Sequence, residues 1–132
     1  REVPNSSVLF WILQLPLGER RERLLVEPAA LESTITEIER VIGQLAAACM
    51  RAPDAALIAQ EYTLAGRMLR HACLRGLLAV EAHDTTERRR ELDADLGDIV
   101  HHYRRLWLAR NRPGGLQDSV AHFERARADY RV

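Results

Sequence analysis

The sequence predicts an all-α protein, an up-down antiparallel bundle of three long helices plus a short C-terminal helix. Apolar residues recur at steps of three and four through most of the chain, the period of an amphipathic helix. Pro, Gly and Asp clusters interrupt this pattern only briefly, and connections of a few residues favour antiparallel neighbours. Strand-like alternation does not occur after Leu15, and no internal repeat is present. A chain of 132 residues suits one domain that can bury a core without disulfides or metal.

Residues 1–27 form an apolar segment and linker ahead of a bundle spanning 28–132. Val8-Leu9-Phe10-Trp11-Ile12-Leu13 is apolar on all sides, and Pro16 and Gly18 end it quickly. It is expected as a short helix or an irregular stretch. Its Phe10 and Trp11 either join the core or mark an apolar seam where another domain packs. The run Glu19-Arg20-Arg21-Glu22-Arg23 mixes signs and reads as a solvated, self-paired stretch.

The first long helix opens near Pro28, with Glu32 and Ser33 as start chemistry. It carries Ile35, Ile38, Ile42, Leu45 and Cys49 on one face. Asp54, after Pro53, is the N-cap candidate of the second. Ile58, Tyr62, Ala65, Leu69, Ala72 and Gly76 repeat at helical spacing there, and Leu57, Leu64, Met68, Leu77 and Leu78 broaden the stripe. This helix is therefore expected at the centre. The third starts at Asp84-Thr85-Thr86-Glu87, with Asp84 as cap and Glu87 reaching back to it. Leu92, Leu96, Ile99, Tyr103 and Leu106 are its buried seam, with Val100 and Trp107 alongside, while Arg88 to Asp93 put charge on its first turns. Pro113 blocks continuation, and Gly114-Gly115 supplies the left-handed backbone that ends a helix. The last helix follows Asp118 or Ser119 and buries Val120 and Phe123.

Composition excludes several functions. The basic and acidic residues balance at 19 each, which argues against nucleic acid as a partner. Arg-rich stretches near Tyr103 and Tyr130 are interleaved with acids and read as solvated faces. All basic residues are Arg, a preference that fits a GC-rich genome. Cys49 and Cys73 are far apart, lack a Cys-x-x-Cys spacing, and are expected as two small buried thiols. The longest apolar run, Val8 to Leu13, is too short to cross a membrane. Beginning at Arg1 rather than Met, the chain is expected to have lost its native start. That leaves its compartment open, with the cytoplasm preferred.

Residues that might carry chemistry are few. Asp98 lies three and four positions before His101 and His102, so one carboxylate and one imidazole share a helix face. No Glu-x-x-His repeat or His-Glu-x-x-His supplies a third ligand, so neither a metal nor a cofactor is expected. His71 and His83 are read as ordinary surface or capping residues. Gly-x-Ser-x-Gly and glycine-rich phosphate loops are missing. Glu61 and Glu81 lie nearest an apolar stripe, and Glu61 is expected in an ion pair with an Arg across the bundle.

The run Leu106-Trp107-Leu108-Ala109-Arg110-Asn111-Arg112-Pro113-Gly114-Gly115-Leu116 places an indole, guanidiniums and an amide at one corner. It resembles the C-terminal tail of bacterial β-N-acetylhexosaminidases of glycoside hydrolase family 20. The resemblance is strongest from Asp93 to Tyr130, including His102-Tyr103-Arg104-Arg105-Leu106-Trp107. It continues more weakly from Glu61 to Cys73, through Leu69-Arg70-His71-Ala72-Cys73. It implies an α-helical domain following a (β/α)₈ catalytic barrel in one polypeptide, whose activity is release of terminal N-acetylhexosamine. Catalysis there uses an adjacent Asp-Glu pair at a barrel strand end. This sequence contains no Asp-Glu dipeptide, so no catalytic residue is expected in it.

Trp107, Arg110, Asn111 and Arg112 are then candidates for the interface with the barrel or for its substrate mouth, since Trp and Arg are enriched at interface hot spots. Core packing is the plainer role for Trp107. An exposed apolar seam would let the isolated fragment self-associate. Two rival readings are a stand-alone helical module with a ligand pocket lined by Met68, Tyr103 and Trp107, and a small metal enzyme using His101 or His102.

Overall fold

A computed structural model describes residues 7–19, 26–80 and 84–131. Glu81, His83 and the mixed-charge residues 20–23, singled out in the sequence, lie outside the described residues. The described residues form a helical bundle without strands. In chain order these are α1 (Val8–Gln14), a single 3-10 turn (Leu17–Glu19), α2 (Pro28–Ala46), α3 (Ala55–Val80), α4 (Thr86–Arg110) and α5 (Leu116–Ala128).

Side-chain pairs set the directions. Leu31 meets Gly76, and Ile42 meets Gly66, so α2 and α3 run antiparallel. Glu61 pairs with Arg110 while Asp95 pairs with Arg67, so α3 and α4 do too. Asp93 pairs with Arg127 and Tyr103 packs on Phe123, reversing α5 against α4.

On α3, Gly66 faces α2 and Leu64 faces α4, directions about 160° apart on a helical wheel. The three long helices therefore lie as one layer with α3 in the middle, the central position its broad apolar stripe predicts. One side of the layer is covered by α1 and α5. The other side of α3, carrying Thr63, Arg67, Arg70 and Leu74, has no described helix over it.

Two apolar clusters flank α3. Leu64, Leu78, Leu92, Leu96, Ile99, Leu106, Val120 and Phe123 form the larger, between α3, α4 and α5. Ile12, Leu31, Ala72 and Cys73 form the smaller, between α1, α2 and α3. Fully burying each Leu or Ile contributes roughly 2 kcal/mol, so these clusters dominate the stabilising side.

Several local expectations are corrected. α2 ends at Ala46, leaving Cys49 beyond the helix and exposed, while Cys73 is buried. The cap of α4 is Thr85, whose hydroxyl accepts from the Arg88 N–H, because the Asp84 carboxylate is taken by the Arg89 guanidinium. Asp54 sits at the start of α3, where its carbonyl accepts from Ile58 N–H and its carboxylate turns to Arg110. α4 stops at Arg110 with Asn111 extended. The left-handed residue, Gly115 at φ 81°, instead opens α5, which begins at Leu116, before Asp118.

The α1 segment is helical, with Ile12 buried and Phe10 and Trp11 on the surface, 47% and 39% exposed. Their rings meet edge to face, centroids 5.7 Å apart. No described helix is long and apolar enough to cross a membrane.

Candidate functional site

The corner between α4 and α5 is locked from within. Trp107 Nε1–H donates to the Arg112 carbonyl at 3.0 Å, and its ring lies against Gly115. The Asn111 backbone N–H and side-chain amide both donate to the Trp107 carbonyl, at 2.8 and 3.2 Å, closing the end of α4. Arg110 reaches back across the bundle. Its Nε and Nη2 donate to the two Glu61 oxygens at 2.5 and 3.0 Å, and Nη2 lies 2.9 Å from Asp54. Hydrogen bonds to Glu61 and Asp54 push the Arg110 guanidinium above its ordinary range. The ion pair expected of Glu61 is thus formed, bolting the end of α4 to the start of α3.

A shallow cavity of about 220 Å³ opens beside this corner, lined by Glu61, Met68, Tyr103, Trp107 and Asn111 among others. Tyr103 and Trp107 stand one helical turn apart, centroids 5.8 Å apart and tilted 38°. Arg112 and Leu108 face solvent, Leu108 at 51% exposure.

A second polar assembly runs through the interior. Arg75, 1% exposed, places its guanidinium among α1, α3 and α5. Its Nε donates to the Ile12 carbonyl at 3.2 Å, Nη1 to Ala126 O at 3.2 Å, and Nη2 to Leu15 O at 3.1 Å and Asp129 at 2.5 Å. A buried charge is costly unless paired and hydrogen-bonded, and here it is both. The need is written in the sequence: Ile12 O would normally accept from residue 16, but Pro16 has no N–H. Arg75 supplies that donor. The guanidinium also lies 4.9 Å from the centroid of the Tyr130 ring.

His71, fully buried, sits one turn before it. Its Nδ1 lies 2.7 Å from Asp95 and its Nε2 2.9 Å from the Tyr130 hydroxyl. An ionised carboxylate only accepts, so Nδ1–H donates to Asp95, while Nε2 pairs with the Tyr130 hydroxyl. Arg67 then joins Asp95 to Asp98, at 3.3 and 2.8 Å. Burial would raise the Asp95 carboxyl, but hydrogen bonds and charge from His71 and Arg67 hold it below the usual carboxylate range. The order Tyr–His–Asp resembles a nucleophile, base and orienting group. Tyr130 is buried as well, at 4% exposure, so its hydroxyl is spent on His71 rather than offered to a substrate. This assembly holds helices together.

His71 corrects the expectation of a surface or capping histidine. Leu64, His71, Arg75 and Leu78 fall at positions 0, 7, 11 and 14 of one register, so the signal was two polar residues within a buried stripe. His102 Nδ1–H donates to the Asp98 carbonyl at 2.9 Å, while the Asp98 carboxylate serves Arg67. Among the described residues no three His, Cys, Asp or Glu converge on a common point that could hold a metal ion. Set against known protein families, curated proteins and solved structures, the chain matches none.

Proposed function

We propose that the chain is a non-catalytic helical domain supporting the catalytic barrel of a glycoside hydrolase similar to the family 20 β-N-acetylhexosaminidases. The observation that carries this reading is the self-locked corner at 106–116. The residues of the resemblance spend their polar groups on one another, giving a rigid end rather than a reactive site. A rigid corner that keeps Leu108 and Arg112 outward offers an apolar and a cationic contact to a neighbouring domain. Phe10 and Trp11 offer a second apolar contact on α1. The reading of the genomic frame upstream of Arg1 tests it: a (β/α)₈ barrel with an Asp-Glu pair is expected, and a start codon adjoining Arg1 would overturn it. In that joined polypeptide, Leu108→Asp with Arg112→Glu should lower the melting temperature of the barrel.

The cavity beside Met68, Tyr103 and Trp107 favours one further reading, a helical module that binds a small ligand. Its volume of about 220 Å³ falls below the range of roughly 300–1,000 Å³ usual for ligand pockets, and apolar residues elsewhere are exposed. Quenching of Trp107 fluorescence by an aromatic probe, in a Trp11→Phe background, would support this second reading over the first.

A further inference from the structure

Between α3 and α4, on the side of the layer that no described helix covers, lies a cavity of about 290 Å³. Leu64 and Leu106, both buried in the larger cluster, form its floor with Ala59. Gln60, Thr63 and Arg67 line one wall at positions i, i+3 and i+7 of α3, a single helical stripe. His102 and Arg105, three apart on α4, line the other. Two bridges between the helices bracket the space. Arg105 Nη2 donates to Gln60 Oε1 at 2.9 Å at one end, and Arg67 Nη2 meets Asp98 at 2.8 Å at the other.

Those bridges use only part of the donor capacity. The contacts described for Arg67, to Asp95 and Asp98, all run through Nη2, and Arg105 spends its Nη2 on a neutral amide. A guanidinium carries five N–H groups, so each keeps Nε–H and Nη1–H without an acceptor among the described residues. Arg105 forms no ion pair among them either, and no carboxylate lines the cavity. His102 commits Nδ1 to the Asp98 carbonyl, which leaves Nε2 as a further polar atom on the α4 wall. Thr63 donates its O–H to the Ala59 carbonyl at 2.8 Å and adds no donor.

Guanidinium donors above an apolar floor call for a ligand with an acceptor at one end and an apolar body. Local charge decides which acceptor. Asp95 and Asp98, outside the lining, offset the two guanidiniums, so the walls offer directed N–H groups with little net positive charge. A dianion such as a phosphate monoester is opposed by those two carboxylates. A monoanionic carboxylate needs only a planar pair of N–H donors, which a guanidinium edge provides. We propose that this cavity binds a small organic monocarboxylate, its carboxylate on Arg67 and Arg105 and its body against Leu64 and Leu106. The volume lies at the lower edge of the range for ligand pockets and suits a single aromatic ring or a short alkyl chain. The inference does not depend on the enzyme assignment, since it uses none of Trp107, Arg110, Asn111 and Arg112.

The test titrates the full chain with benzoate and follows the arginine Nε–H and histidine ring resonances by NMR. Saturable shifts are expected at Arg67, Arg105 and His102. Benzamide, the uncharged analogue, and phenyl phosphate, the dianion, should each bind about tenfold more weakly. Arg105→Gln should weaken benzoate about tenfold, the loss of one charge-assisted hydrogen bond, and leave the fold intact because Arg105 is exposed. Thr63→Phe fills the cavity from its exposed rim and should abolish binding, a second variant that does not touch the guanidiniums. No saturable shift with benzoate, equal binding of benzamide, tighter binding of phenyl phosphate, or indifference to both substitutions overturns the proposal.

Discussion

His71 on α3 and Tyr130 beyond α5 share a hydrogen bond of 2.9 Å although 59 positions separate them in the chain. The same imidazole holds Asp95 on α4, so a single buried ring fixes the relative positions of two helices and the C-terminal turn. Arg75, one turn further along α3, does the same for α1 and α5. The layer of long helices and the layer of short ones are therefore joined by polar groups at the seam between two apolar clusters. Apolar burial supplies most of the stabilisation, and these two side chains decide which arrangement it stabilises.

Acid should release this seam in a defined direction. The Asp95 carboxyl is held below its ordinary value, so its contribution is present above the unfolded-state pKa of about 3.9 and is lost as pH falls through the folded-state value. Asp93, bonded to Arg127 and Arg131 and likewise lowered, adds to the same limb. Asp95→Asn is expected to cost about 1–2 kcal/mol near neutral pH, the worth of a charge-assisted, part-buried hydrogen bond. Thermal unfolding followed by circular dichroism should show the difference between wild type and variant shrinking as the pH falls below about 3.9. A constant difference across the whole range would contradict the assignment.

Two glycines on neighbouring helices should respond with opposite sign. Gly43 on α2 has nothing within 4 Å of an added Cβ, so Gly43→Ala gains helix propensity at no steric cost, about 0.5–1 kcal/mol. At Gly66 the Cβ would stand 2.7 Å from two atoms of Ile42. Gly66→Leu therefore wedges α2 away from α3 and should destabilise by about 1–3 kcal/mol. Urea midpoints of the two variants, compared with wild type, check both signs at once.

Much of this was legible in the sequence. Helix period gave the buried seam Leu92, Leu96, Ile99 and Leu106 on α4, and the central place of α3 followed from its broad stripe. Errors cluster at helix ends, where short polar side chains compete. Asp84 and Thr85 are both good caps, and only the position of Arg89 decides between them. The glycine pair after Pro113 reads as an exit from α4, yet Asn111 and Trp107 already close that helix, so Gly115 turns the chain into α5. Cys49 continues the period of Ile42 and Leu45, but the helix stops before it. The role of His71 is not legible in the sequence because its partners lie 24 and 59 positions away, distances at which spacing carries no signal.

The corner should depend on both the indole N–H and the packing of the ring. Trp107→Phe keeps an aromatic ring beside Tyr103 but orphans the Arg112 carbonyl, an expected loss of about 1 kcal/mol. Trp107→Ala also removes the packing against Gly115 and should cost more, about 2–3 kcal/mol. Gly115→Ala strains the φ of 81° and is expected to cost about 1–2 kcal/mol. Calorimetric melting temperatures for the three variants should fall in that pattern, with Trp107→Phe the mildest of the tryptophan changes.

The two thiols report separately on the two sides of the structure. Cys49 is exposed and should react with an aromatic disulfide reagent at the rate of a free thiol. Cys73 is enclosed by α1 and α2, and burial pushes its thiol above the ordinary value, so both access and thiolate fraction are suppressed. Its labelling must wait for α1 to lift or for the bundle to open. Ile12→Ala removes the buried anchor of α1 at a cost of about 3 kcal/mol, which should speed Cys73 labelling roughly 100-fold and leave Cys49 unchanged. If Cys73 instead accelerates only when denaturant melts the whole bundle, α1 does not open on its own.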